Sequence, residues 1–276
     1  MNIVTIMNYD WSKKQSLDLC YTWIKQCKIW LSKYDTVYVY SLKPLPDGLK
    51  KSMLSSDTCV FKSVIVKKFA HTDSIHFGCE AHMVISNHNF LFKLYNTTQI
   101  NFPFLFMDCD AFIVGSIDKL NSIFETTKDQ IFFLDHEPNI PAETIFLPPF
   151  INSGVFIMND PKHLIYNWDK IYRFAMSINF IPRFHNSNQI IPGTDQSIIK
   201  SYLDHIKYDY SHKNFTIDHN TAGSMINEWY RNKENKLQTT LKNDPSTTCK
   251  IVHYWGKNKN MLFNSPLIVA EKVSSS

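Results

Sequence analysis

From Asn2 to Met7 the chain reads NIVTIM, a short apolar run rich in β-branched residues that gives way to the polar turn Asn8-Tyr9-Asp10. This is the pattern of a buried strand opening onto a loop. Between Ser16 and Lys33, the apolar residues Leu19, Trp23, Ile24, Cys27, Trp30 and Leu31 recur at steps of three and four, which predicts an amphipathic helix with one buried face. Thr36 to Ser41 (TVYVYS) reads as a second strand, Pro44, Pro46 and Gly48 mark a loop, and Cys59 to Val66 (CVFKSVIV) reads as a third strand. A helix is expected over Glu80 to Tyr95, and FLFM at Phe104 to Met107 suits a fully buried fourth strand. The resulting order, β-α-β-β-α-β, argues for a mostly parallel sheet covered by helices, in which ligands bind at the carboxyl ends of the strands.

Further along, Ile131 to Leu134 (IFFL) and Phe150 to Met158 read as strands, and Pro161 opens a helix that runs to Ser177. Thr194 begins another short helix. The polar stretch between them, NFIPRFHNSNQIIPG, is expected to be a surface loop over a site. Residues Asn227 to Thr248 are polar and carry no assignable element, and Cys249 to Tyr254 (CKIVHY) reads as a last strand. The pattern is that of one α/β domain over residues 1–265, with a central, mostly parallel mixed sheet flanked by helices and a C-terminal tail over 266–276.

Composition narrows the class. A chain of 276 residues, 44% hydrophobic and 20% charged, is globular and large enough to bury a core without disulfides or a structural metal. Net charge is +4, with Lys and Arg scattered, so nothing points to nucleic acid as a partner. No apolar run reaches the roughly 18 residues of a spanning helix, and MNIVTIMNYDW lacks the basic start and cleavage site of a signal peptide. The six cysteines form no C-x-x-C pair and no disulfide framework. A soluble, cytoplasmic protein is expected. Glycine is scarce, at 7 residues against the roughly 7% of average usage, and Gly115, Gly154, Gly193 and Gly256 lie in or beside the segments that carry the chemistry. Glycine is needed where φ is positive or where backbone approaches a ligand closely.

The sharpest local feature is FPFLFMDCDAFIVGSIDKL, in which Asp108 and Asp110 follow an apolar strand. With 18 Asp in the chain, chance alone supplies about one D-x-D, so the string means little without its context. On an extended segment the two carboxylates point to opposite faces, but a turn at the strand end can aim both at one ion. Oxygen donors of this kind suit Mn²⁺ or Mg²⁺. Cys109 between them is read as a small apolar filler, and Asp135 in FFLDHEPN as an ordinary strand-end residue.

Four ordered segments carry a resemblance. FLFKLYNTTQINFPFLFMDCDAFIVGSIDKL resembles the stretch of glycogenin-like family 8 glycosyltransferases in which a lysine-bearing helix leads into the D-x-D strand. INSGVFIMN is similar to the family's N-[AS]-G-V-F strand, IPGTDQSIIKSYL to its G-D-Q segment, and VHYWGKNK to its H-F-x-G-x-x-K signature. The resemblance implies a Rossmann-like GT-A domain and a metal-dependent transferase that moves a sugar from a nucleotide sugar, a UDP-sugar above all, to a hydroxyl on a glycan, protein or lipid-linked acceptor, with retention of configuration. It implies that Asp110 and His253 bind Mn²⁺ (or Mg²⁺), with Asp108 on the metal or on the ribose and sugar hydroxyls. Lys259, the Gly256 backbone and Lys93 would hold the diphosphate, Asn8 and Tyr9 would begin the nucleoside pocket, and Asn152, Ser153, Asp195 and Gln196 would surround the sugar and acceptor. Asp195 or Gln196 would lie nearest the anomeric carbon. The sequence departs from the family after Lys259, where Asn260 and Met261 replace Pro-Trp, which puts the acceptor side in a different form.

Two other classes fit parts of the pattern. Haloacid-dehalogenase-like phosphatases also place D-x-D after an apolar strand and use Mg²⁺, but near the start of the chain and with Thr or Val soon after, whereas Ala111 and Phe112 follow here. A non-catalytic domain that binds sugar nucleotides or glycans would keep the fold without turnover. The sugar, the acceptor and the oligomeric state are not legible in the sequence.

Overall fold

The computed structural model describes residues 1–7, 9–41, 43–65 and 104–114 together with Phe263 and Ile268, and the main chain of 131–135, 151–158 and 251–253, where only the side chains of Val155 and Ile251 are described. The expected helices at 80–95, 161–177 and 194 onward, the loop between the last two, and the polar stretch 227–248 lie outside the described residues.

The apolar, β-branched runs become strands. β1 (Asn2–Ile6), β2 (Thr36–Ser41), β3 (Val60–Ile65) and β4 (Phe104–Met107) are joined by β6 (Ile131–Asp135) and β7 (Ile151–Met158) in a six-stranded sheet of order β3-β2-β1-β4-β7-β6. β1 pairs in parallel with both β2 and β4, and β2 in parallel with β3. β7 runs antiparallel to β4 and to β6, so the sheet is mixed, as expected from the sequence. β5 (Ala111–Ile113) and β8 (Ile251–His253) form a separate antiparallel pair.

The first helix, α1 (Lys14–Trp30), lies close to its expected range. Its inner residues Leu19, Cys20, Trp23, Ile24 and Cys27 pack with Ile3, Met7, Val37, Val39, Leu105 and Met107 from alternate positions of β1, β2 and β4. Burial of each such aliphatic side chain is worth about 1.5–3 kcal/mol. The intervening positions, Val4, Ile6, Tyr38, Tyr40, Phe104 and Phe106, are buried as well, as a parallel sheet covered on both faces requires. Trp30 departs from its expected burial and is 38% exposed. The chain leaves the helix at Leu31 in an extended conformation, and Leu31, 5% exposed, is buried as expected.

The segment after Pro46 was expected to be loop and is instead a second helix, α2 (Asp47–Leu54). The observed order is therefore β-α-β-α-β up to β3. Pro46 sits at the N-cap rather than inside the helix, where its missing N–H costs nothing. Gly48 faces α1, and a Cβ there would run into the Tyr21 hydroxyl oxygen unless that side chain moved. Leu49 and Met53 join the same core. Ile268, within the range read as a tail, is buried in that core too. Among the described residues, no helix is long and apolar enough to cross a membrane.

Candidate active site

The sheet changes direction at β1. From β1 the chain steps through α1 to β2 and through α2 to β3 on one side, while β4 lies on the other side of β1. The carboxyl ends of β1 and β4 thus flank the point at which ligands enter doubly wound sheets. Tyr9 follows β1 and Asp108 follows β4, so both stand at this point.

Asp108, Cys109, Asp110 and Ala111 make a hydrogen-bonded turn, in which the Ala111 N–H donates to the Asp108 carbonyl at 2.9 Å. The two carboxylates therefore hang from the first and third positions of a turn, which removes the opposite-face geometry of an extended strand. Asp110 is 5% exposed and Asp108 is half-buried. A carboxylate at the depth of Asp110 is costly to ionise without partners, and both residues take part in interactions within the chain. The side chain between them packs into the core. The Cys109 thiol donates to the Ile6 carbonyl at 3.5 Å and lies 3.4 Å from the Thr5 hydroxyl, fastening the turn to β1. It is also hydrogen-bonded to Cys20 of α1. The filler reading of Cys109 thus matches its burial in the core, with weak hydrogen bonds added.

Tyr9 is half-buried beside this turn. Burial pushes its hydroxyl well above the ordinary phenol range, and the neighbouring Cys109, Asp110, Cys20 and Asp108 push it in the same direction. The ring meets Trp11 edge-on at 6.2 Å between centroids. With Gln15, Ser16, Leu19 and Phe263 it lines a cleft of about 140 Å³, close to the roughly 150 Å³ that accepts a single six-membered ring. Gln15, Ser16 and Phe263 carried no signal in the sequence, because nothing in local pattern brings residue 263 to the end of β1.

β7 enters from the opposite direction. Its ladder with β4 ends at Met107↔Val155, so Asn152, Ser153 and Gly154 continue past the end of β4 on the side of the acidic turn. On the other side Leu134 pairs with Asn152 and Asp135 with Ile151, after a register break between Phe133 and Leu134. Such irregularities re-aim the chain at the rims of sheets. Asp135, Asn152 and Ser153 thus share a sheet edge with Tyr9 and Asp108.

β8 brings the far end of the chain to the same place. Ala111 pairs with His253, Phe112 with Val252 and Ile113 with Ile251. The main chain of His253 is therefore opposite the residue that follows Asp110. Two carboxylates on a turn, with the neighbouring thiol engaged elsewhere, fit a hard divalent cation. Among the described residues no group of three or more His, Cys, Asp or Glu gathers to hold a metal ion, and the His253 side chain is not among them. Asn8, Lys93, Asp195, Gln196, Gly256 and Lys259 lie outside the described residues.

No family model matches the sequence, and no curated protein matches it. Solved structures do. Mouse xyloside xylosyltransferase 1 in its apo form has a TM-score of 0.52 at 11% identity, over 96% of this chain and 99% of that one. The galactosyltransferase LgtC in complex with donor and acceptor sugar analogues has a TM-score of 0.50 at 13% identity, over 93% of this chain and 88% of that one. The apo-form glycosyltransferase GlyE of Streptococcus pneumoniae TIGR4 has a TM-score of 0.48 at 14% identity over 93% of this chain, which spans 54% of the length of GlyE. The chain has the GT-A fold of the glycosyltransferases.

Proposed function

We propose that this GT-A chain is a metal-dependent glycosyltransferase that moves a sugar from a nucleotide sugar, a UDP-sugar, to a hydroxyl of a glycan, protein or lipid-linked acceptor. The observation that supports it most is the pairing of Ala111 with His253, which sets the histidine segment against the D-x-D turn at the switch point of the sheet. Local sequence does not bring these segments together; a shared ligand gives them a reason to meet.

In this reading Asp110 and His253 hold Mn²⁺ (or Mg²⁺), and Asp108 holds the metal or the ribose and sugar hydroxyls. When bound, the cation offsets the negative charge that develops on the departing diphosphate. Lys259, the Gly256 backbone and Lys93 hold the diphosphate through charge-assisted contacts. Asn8 and Tyr9 take the nucleoside, and the cleft beside the Tyr9 ring has the size of one base. Asn152 and Ser153 on β7, with Asp195 and Gln196, direct hydrogen bonds to sugar and acceptor hydroxyls. The bond between the anomeric carbon and the diphosphate oxygen breaks, and a bond to the acceptor oxygen forms on the same face, with the acceptor proton passing to the leaving diphosphate.

Incubation with a panel of nucleotide sugars and Mn²⁺ tests the proposal. Metal-dependent hydrolysis or transfer with one donor is expected. Absence of hydrolysis, transfer and binding across the panel would overturn it.

A further inference from the structure

Trp23 stands at the middle of α1 and is 1% exposed. An indole offers one N–H and no acceptor, and a buried donor must find a partner. Trp23 spends this single donor on the turn: its Nε1–H donates to the Ala111 carbonyl at 2.9 Å, across 88 positions of sequence. The main chain of Ala111 is thereby held at three points. Its N–H closes the turn onto Asp108, its carbonyl is fixed by α1, and across the ladder it faces His253. Cys109, two residues earlier in the same turn, is fastened to β1. The acidic turn is thus fastened to the helix through Trp23 and to the first strand through Cys109.

We propose that Trp23 is a positioning residue for the metal centre: its indole N–H sets the peptide between Asp110 and the His253-bearing strand, and so fixes the spacing of the ligands without touching the ion. This rests on the reading of Asp108, Asp110 and His253 as metal ligands. Groups that orient the ligands of a metal typically change affinity by about 10–100-fold when removed. A tryptophan that merely fills the core would change stability alone.

The test measures Mn²⁺ binding to the folded protein by the EPR signal of free Mn²⁺, alongside the Mn²⁺ dependence of donor hydrolysis. Two variants remove the N–H: Trp23→Phe, and replacement of Trp23 by 3-benzothienylalanine, in which sulfur takes the place of the indole nitrogen and the ring volume is kept. Leu49→Ala, which opens the same core through α2, controls for lost packing. The expected result is Mn²⁺ affinity about 10-fold weaker in both Trp23 variants, a matching rise in the Mn²⁺ concentration for half-maximal rate, and kcat largely restored at saturating Mn²⁺. Leu49→Ala is expected to lower the melting temperature and leave Mn²⁺ affinity in place. Should Trp23→Phe fail to fold, the isosteric variant decides. Wild-type affinity in the isosteric variant, or an equal loss in Leu49→Ala, overturns the positioning role and leaves the metal reading standing. A wild-type protein that binds no Mn²⁺ with or without UDP overturns both.

Discussion

Ala111 and His253 face each other across the β5–β8 ladder. The Ala111 N–H closes the acidic turn onto the Asp108 carbonyl, so one residue joins that turn to β8. The main chain of His253 is thereby set one residue past Asp110 in the ladder.

Asp110→Asn keeps the size of the side chain and removes its charge. Metal-dependent donor hydrolysis and transfer are expected to fall about 100-fold or more, with the melting temperature in the absence of metal little changed. Near-normal turnover with Mn²⁺ would remove Asp110 from the site.

The Tyr9 ring lines the cleft while its hydroxyl, held above its ordinary value by burial and by nearby acidic groups, stays protonated at neutral pH. If the cleft takes the base, Tyr9→Ala should weaken UDP binding by about 1–3 kcal/mol, the usual worth of a base stacked on an aromatic ring. Tyr9→Phe should bind nearly as the wild type does. Calorimetric titration of UDP separates the two, and equal losses in both variants would assign the contact to the hydroxyl rather than to the ring.

Burial raises the Cys27 thiol well above 9.0, aided by Cys59 and Cys109. Cys20 is raised by burial and by its bond to Cys109. A group whose folded value lies above its unfolded one stabilises the fold fully below the unfolded value and loses that contribution as pH rises through the folded one. Melting temperature should therefore be flat up to about pH 8 and decline above about pH 9. Cys27→Ala, measured by the same melts carried above about pH 9, should decline less steeply; parallel curves would show that the thiol does not contribute.

Cys109 sits between the two aspartates but points into the core. Cys109→Ala is expected to cost about 1–2 kcal/mol in urea unfolding, from the small void and the weak bonds to Thr5 and Ile6. Turnover should be close to normal. A well-folded but inactive variant would mean that the thiol acts on the site itself.

The sheet was legible because its strands are short runs of β-branched and aromatic residues bounded by polar turns: NIVTIM, TVYVYS and FLFM became β1, β2 and β4 with ends displaced by at most one residue. α2 was not legible. Pro44, Pro46 and Gly48 mark a loop by local chemistry, and only packing of Leu49 and Met53 against α1 and the sheet overrides them. The same limit applies at the site. The D-x-D string has no meaning by itself, and its turn geometry comes from Cys109 gripping β1 and Trp23 gripping Ala111, bonds between residues distant in sequence. Trp23 was readable as core from its helical spacing, but not as a donor to a particular carbonyl. Phe263 reaches the Tyr9 cleft with no periodic signal at all.

The β5–β8 ladder also fixes an order of events during synthesis. By the time residue 114 has left the ribosome, the strands β1 to β4 and both described helices are available to pack, whereas β5 still lacks the strand that borders it. A chain interrupted before Ile251 would leave β5 without the strand that pairs with it, an open edge beside the acidic turn that is free to pair with other unfinished chains.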